Sequence, residues 1–301
     1  MNATLYAATV LIWGTTWIAI AMQSGPVPSA VSVFYRFALA SLLLLAILLL
    51  SRRLRRIGPR DHLFCLLQGL CVFSFNFYCF YSANAYINSG LEAVLFSMAT
   101  LFNAINGVIF FGQRLESRLI RANVLGLIGI VCLFWHDLSA ADLSRETLMG
   151  IGLSLLGTYG FSLGNMISVR HQARQLDLLS TNAYAMGYGA LAMLLLAWLR
   201  GDAFALLWTP AYLGSLVYLA VVGSVVGFAV YFALVGRIGA GPAAYATVLF
   251  PLIALGMSTL FEGYRWSGMA VVGLLLIIGG NLLLFHRPRP SATPPVQVER
   301  V

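Results

Sequence analysis

Two tryptophans four residues apart, Trp13 and Trp17, share one face of a helix and offer flat apolar surface to an aromatic or aliphatic group. Trp17 stands close enough to the outer end of its segment to serve instead in an interfacial aromatic belt, whereas Trp13 is nearer the middle. Further along, Gln68, Cys71, Phe75, Tyr78, Cys79 and Ser82 recur at spacings of three and four, with Asn76 and Tyr81 beside them. An aromatic stripe more often packs helices, but the amides within this one suit a cavity wall, because lipid cannot satisfy them. Thr100, Asn103 and Asn106 repeat the spacing in the next apolar segment, where asparagines either line a path or join helices at about 0.6 kcal/mol each. In the second half of the chain the comparable positions are Tyr159, Asn165, Tyr231, Tyr245 and Phe250, with Tyr231 favoured.

A smaller set could move or hold helices. Arg36 lies inside an apolar segment, where it attracts a carboxylate, snorkels outward, or pairs with Glu92 at the outer end of the fourth segment. Glu262 ends the ninth segment, a place for an inter-helix hydrogen bond or a gate. Pro251 within that segment frees a carbonyl and predicts a kink. Gly223, Gly227 and Tyr231, like Gly160 and Gly164, make low-profile rows that let helices approach closely or slide.

The elements that must position these residues are apolar and long. Spans 5-22, 31-50, 63-82, 92-111, 120-135, 149-169, 181-199, 212-235, 243-261 and 267-285 each approach the length of one bilayer crossing. Hydrophobic residues make up 60% of the chain and charged residues 9%, which removes an ordinary soluble domain from consideration. The expected fold class is therefore all-α, a polytopic integral membrane protein. The first span lacks a basic leader and is interrupted by Trp13 to Trp17, so it reads as a retained helix rather than a signal peptide.

Every basic side chain is Arg, and the net charge of +8 reports where Arg stands. Arg52, Arg53, Arg55, Arg56 and Arg60 follow span two; Arg114, Arg118 and Arg121 follow span four; Arg170, Arg174, Arg237, Arg287 and Arg289 follow later even-numbered spans. The positive-inside rule places those connectors and both termini in the cytoplasm. A nucleic-acid partner is not needed to explain the charge. A shift of 148 residues sets Ala85 on Ala233, Leu101-Phe102 on Leu249-Phe250 and Asn103 on Pro251, with five spans in each half. An odd number per half gives two inverted five-helix repeats, at 1-135 and 149-285, joined by a periplasmic connector at 136-148 and followed by a disordered cytoplasmic tail at 286-301.

Chemistry is missing where an enzyme would need it. HExxH, a CxxC pair and GxxxxGK[ST] do not occur, and Lys is absent. His62, His136, His171 and His286 fall in connectors or at span ends, and Cys65, Cys71, Cys79 and Cys132 read as small apolar fillers. No acidic residue lies in the middle of a span to relay protons. Neither catalysis, a cofactor, a metal nor an obligate protein partner is expected.

Leu11-Ile12-Trp13-Gly14-Thr15 resembles the Trp-Gly signature of the first helix in the drug/metabolite transporter superfamily, EamA type. Tyr35-Arg36-Phe37-Ala38-Leu39-Ala40 resembles its second-helix motif, and Phe250-Pro251 followed by Phe261-Glu262 resembles its ninth-helix Pro and terminal acid. The first half departs from the pattern, with Asn103 in the place of Pro251 and Gln113 or Arg114 near the place of Glu262. The resemblance covers nearly the whole chain. It implies a bacterial inner-membrane transporter with a midplane cavity lined by spans one, three, four, six, eight and nine, spans five and ten being peripheral. It further implies export of neutral and aromatic amino acids. Efflux of another small neutral metabolite or hydrophobic drug is the competing transport reading, and a non-transporting membrane receptor or scaffold is a third.

Overall fold

The computed structural model describes residues 2–112, 117–133, 135, 144–238, 240–261, 263 and 266–285, and every regular element among them is helical. The first half holds α1 (Asn2–Ala21), α2 (Ser29–Leu50), α3 (Pro59–Ala83), α4 (Ser89–Phe111) and α5 (Ser117–Leu133). The second holds α6 (Arg145–Ala173), α7 (Leu178–Arg200), α8 (Pro210–Ile238), α9 (240–261, in pieces) and α10 (Gly268–Phe285). Among the described residues, 7 helices, α1 to α4 and α6 to α8, are long and apolar enough to cross a membrane. Shorter apolar helices run over Ile120–Leu133 and Gly268–Gly280. Leu42, Leu50, Leu199 and Leu275 stand exposed on the outside of the bundle, where lipid rather than water is the fitting solvent.

Local chemistry sets the helix starts. Pro59 and Pro210 occupy first-turn positions, where a missing N–H costs nothing. Asn88, Ser144, Asp177 and Thr209 cap α4, α6, α7 and α8 by accepting backbone N–H bonds of 2.9, 3.1, 2.8 and 3.3 Å. Gly201 ends α7 at φ 70°, a conformation that favours glycine.

α9 differs from the single kinked helix that Pro251 predicts. It comprises Ala240–Ala244, a 3-10 turn at Tyr245–Val248 and then Phe250–Phe261. Pro251 falls in the first turn of the last piece, so it starts a helix after a break instead of bending one. α6 and α8, at 29 residues each, also outrun the spans expected for them.

Three features recur in both halves. α3 contains a π-helical stretch at Gly69–Asn76 and α8 one at Leu219–Val226 (219 − 69 = 150). Pro59 and Pro210 open the same helices (210 − 59 = 151), and the last pieces of α4 and α9 begin at Ala99 and Phe250 (250 − 99 = 151). The structural register is thus a few residues longer than the 148-residue shift, and it sets Asn103 opposite Ala254 rather than Pro251.

α2 packs along α7, α5 along α10, and α1 against α4, α8 and α9. Glycine permits the closest approaches. A Cβ on Gly69 would meet the Ala185 carbonyl of α7, and one on Gly129 would come within 2.7 Å of the Gly273 carbonyl of α10. The row predicted at Gly223 and Gly227 abuts α1, where a Cβ would lie 2.9 Å from Thr16 Cγ2 and 2.5 Å from Trp13 Nε1 respectively. Gly160 and Gly164 meet α3 through Phe75 and Val72.

Candidate functional site

α1, α3, α4, α6, α8 and α9 converge beside α2 on a cavity of about 30 Å³. α1 supplies Trp13, Thr16, Trp17 and Ile20; α3 supplies Asn76, Phe77 and Phe80. Phe96, Phe161, Phe228 and Phe250 enter from α4, α6, α8 and α9, and Arg36 from α2. That volume holds about two waters, whereas ligand pockets span roughly 300–1,000 Å³. The rings are drawn together, and admitting a solute requires them to part.

The walls are mutually packed aromatics. Trp13 meets Phe228 and Tyr231 at 4.8 Å between ring centroids, and its Nε1 donates to the Gly223 carbonyl at 3.0 Å. Trp17 meets Phe80 at 5.0 Å and Phe96 at 5.5 Å, edge to face. Phe96 stacks on Phe250 at 6.2 Å with an interplanar angle of 9°. Trp17 is buried, which removes the interfacial-belt reading, and its Nε1 has no hydrogen-bond partner among the described residues.

Arg36 is the charged residue in the cavity lining. It is 1% exposed, so it does not snorkel. Its Nε donates to Ser224 Oγ at 3.0 Å and its Nη1 to Tyr81 Oη at 3.5 Å, while Tyr81 in turn donates to Gln23 Oε1 at 2.7 Å. The guanidinium lies 4.2 Å from the centroid of Phe77 and 5.1 Å from that of Phe37. Among the described residues it forms no ion pair, with Glu92 or any other carboxylate. Glu92 is fully buried in the first turn of α4.

The remaining expected positions divide. Trp13, Trp17 and Phe250 line the cavity. Tyr231 and Asn103 lie behind Trp13 in a polar row, where Asn165 Nδ2 donates to Asn103 Oδ1 at 3.3 Å and to Tyr231 Oη at 3.2 Å. Phe75 is 45% exposed and rests on Gly160; Tyr159 is 38% exposed and pairs with Phe102. Tyr78 accepts a hydrogen bond from Arg200. Cys79 packs on Gly157, and neither Gln68, buried before the π stretch, nor half-buried Ser82 reaches the cavity. Glu262 and the side chain of Tyr245 lie outside the described residues.

The α3 stripe fails for a physical reason. A π stretch bonds i to i+5, so each turn is wider and the face that a 3.6-residue period predicts rotates away. From the end of the π stretch onward the cavity-lining positions are Asn76, Phe77 and Phe80, not Phe75, Tyr78, Cys79 and Ser82. Thr16, Phe77, Phe80, Phe96, Phe161 and Phe228 were not singled out by sequence. The phenylalanines carry no polar mark separating a cavity wall from a lipid face.

A multi-pass helical bundle converging on an aromatic cavity with one buried cation defines a membrane protein built to handle a small solute. The chain belongs to the EamA-like transporter family, whose model matches residues 2–135 and 148–286. It is 24% identical over 288 residues to Protein PagO of Salmonella typhimurium, spanning 95% of this chain and 93% of the relative. It is 22% identical over 289 residues to a probable amino-acid metabolite efflux pump of Escherichia coli, spanning 93% of each. One solved crystal structure superposes with a TM-score of 0.70 over 94% of this chain and 96% of the other at 16% identity, which shows a shared fold. Transport, not catalysis, is the family's activity.

Proposed function

We propose that this transporter exports neutral and aromatic amino acids across a bacterial inner membrane by alternating access through the central, largely apolar cavity. The observation that carries this reading is the cavity wall, where aromatic rings from both halves of the chain stand together with Arg36 and Asn76. An amino acid with an apolar side chain combines the complementary apolar and charged groups. The motifs of the first, second and ninth helices are read as similar to those of the aromatic amino acid exporter YddG, and the relatives of the chain include a probable amino-acid metabolite efflux pump. The recurrence of π stretches and prolines at an offset near 150 residues supports two inverted five-helix repeats, which rock about a fixed midplane site. The Arg-rich even connectors support cytoplasmic termini.

Purified protein in liposomes tests the reading with labelled phenylalanine, threonine and a hydrophobic cation, with and without a proton gradient and a membrane potential. Saturable amino acid movement is expected, and its gradient response reports the energy coupling. Movement of the cation alone would replace this reading with drug efflux.

A further inference from the structure

We propose that Arg36 is the carboxylate anchor of the transport site, with the Trp17 indole N–H as a second donor and Asn76 Oδ1 as the acceptor for the substrate's ammonium group. This rests on the amino acid reading for the ammonium contact, while the carboxylate contact stands on the geometry of Arg36 itself.

A guanidinium inside a bilayer is costly unless a partner neutralises it. Arg36 has Ser224 and Tyr81 as neutral hydrogen-bond partners and Phe37 and Phe77 as ring neighbours, but no anion among the described residues. Those bonds occupy Nε and Nη1; Nη2 makes none among the described residues, and Arg36 lines the cavity. Planar N–H donors of a guanidinium match the two oxygens of a carboxylate. The backbone of α8 clears space there: a Cβ on Gly223 would already lie 3.5 Å from Nη2.

The second observation is independent of Arg36. Two other groups on the same cavity, both more than nine-tenths buried, lack partners among the described residues: Trp17 Nε1, a donor, and Asn76 Oδ1, an acceptor. Asn76 Nδ2 donates to the Val72 carbonyl at 3.3 Å, which can only accept, so the outward atom is the oxygen. Buried polar atoms left unpaired in a folded protein call for an explanation. Two donors and one acceptor facing one cavity supply it as a zwitterion: the donors take the carboxylate and the acceptor the ammonium.

The experiment compares phenylalanine, phenylalaninamide, phenylethylamine and 3-phenylpropionate as competitors and as labelled substrates, in wild-type protein and in Arg36→Gln, Arg36→Lys and Asn76→Leu. In the wild type, removing the carboxylate is expected to weaken binding at least tenfold. Arg36→Gln should raise the KM for phenylalanine at least tenfold and leave the weak binding of phenylalaninamide unchanged, with partial recovery in Arg36→Lys. Asn76→Leu should weaken phenylalanine but not 3-phenylpropionate. Equal losses for acid and amide in Arg36→Gln would overturn the anchor and leave Arg36 a packing residue. If that variant does not fold, wild-type competition decides, since equal inhibition by amide and acid overturns the proposal by itself. Arg36-dependent binding of 3-phenylpropionate without phenylalanine transport would uphold the anchor while refuting amino acid export. Binding of no carboxylate at all would refute both.

Discussion

Trp13 Nε1 donates to the Gly223 carbonyl at 3.0 Å, joining the first helix of one half to the π stretch of α8 in the other. The bond holds the indole where it lies tilted against Tyr231 and makes edge-to-face contacts with Phe161, Phe228 and Phe250. A single side chain thereby couples α1, α6, α8 and α9 at the cavity. Any motion that parts the rings must carry Trp13 with α8 or break this bond.

Gly227 tests that coupling. A Cβ there would lie 2.5 Å from Trp13 Nε1 and 3.1 Å from Cδ1, so Gly227→Leu must displace the indole. We expect at least a tenfold fall in transport rate in protein that still elutes as a single species on size exclusion. Gly256→Leu, whose Cβ would meet nothing within 4 Å, is the control and should transport normally.

Trp17→Ala removes two edge-to-face contacts, with Phe80 and Phe96, each worth about 0.5–1.5 kcal/mol. It should raise the KM for phenylalanine about tenfold without preventing insertion. Tyr78→Ala, which the α3 stripe would predict to be equally damaging, should stay within about twofold of wild type, because Tyr78 faces Arg200. Initial rates in liposomes separate the two variants.

Asp61 at the start of α3 holds two arginines from the end of α6, Arg170 at 2.9 Å and Arg174 at 3.4 Å. Arg170 also lies over Phe64, 3.5 Å from its centroid. Asp61 and Arg170 side chains are 9% and 18% exposed, against 48% for Arg174. Asp61→Asn should therefore cost about 1–2 kcal/mol, between the surface and buried limits for ion pairs. Arg174→Ala should cost less than about 0.5 kcal/mol. Thermal unfolding in detergent at low and high salt reads both.

Tyr231→Phe removes the hydroxyl that accepts from Asn165 and keeps the ring against Trp13. Inter-helix hydrogen bonds in membranes average about 0.6 kcal/mol, so Tm should fall slightly and transport should persist. A loss of transport beyond tenfold in folded Tyr231→Phe would move this hydroxyl from the role of helix glue to that of a substrate contact.

Membrane character, transporter family and the sharing of one helix face by Trp13 and Trp17 are legible in the chain because each depends on local composition or on spacing within one helix. Phe250, marked in the chain by its place in a motif, lines the cavity. The α3 positions were misread by periodicity, since nothing local in Gly69–Asn76 announces a π stretch. Pro251 was read correctly as a disturbance and incorrectly as a kink, because a Pro can serve a first turn as well as distort an interior one.

Apolar segments of bilayer length, an Arg bias among connectors and family motifs together establish a polytopic transporter from the sequence alone. Each is a one-dimensional property that any crossing helix must satisfy alone. Tertiary structure decided which phenylalanines face the cavity, that Arg36 lies buried beside Phe77 without a described counter-ion, and that Trp13 is tied to Gly223. Those facts depend on helix phase and on neighbours as much as 210 residues away. In a chain this apolar, hydrophobicity cannot distinguish inward from outward faces, so only packing assigns them.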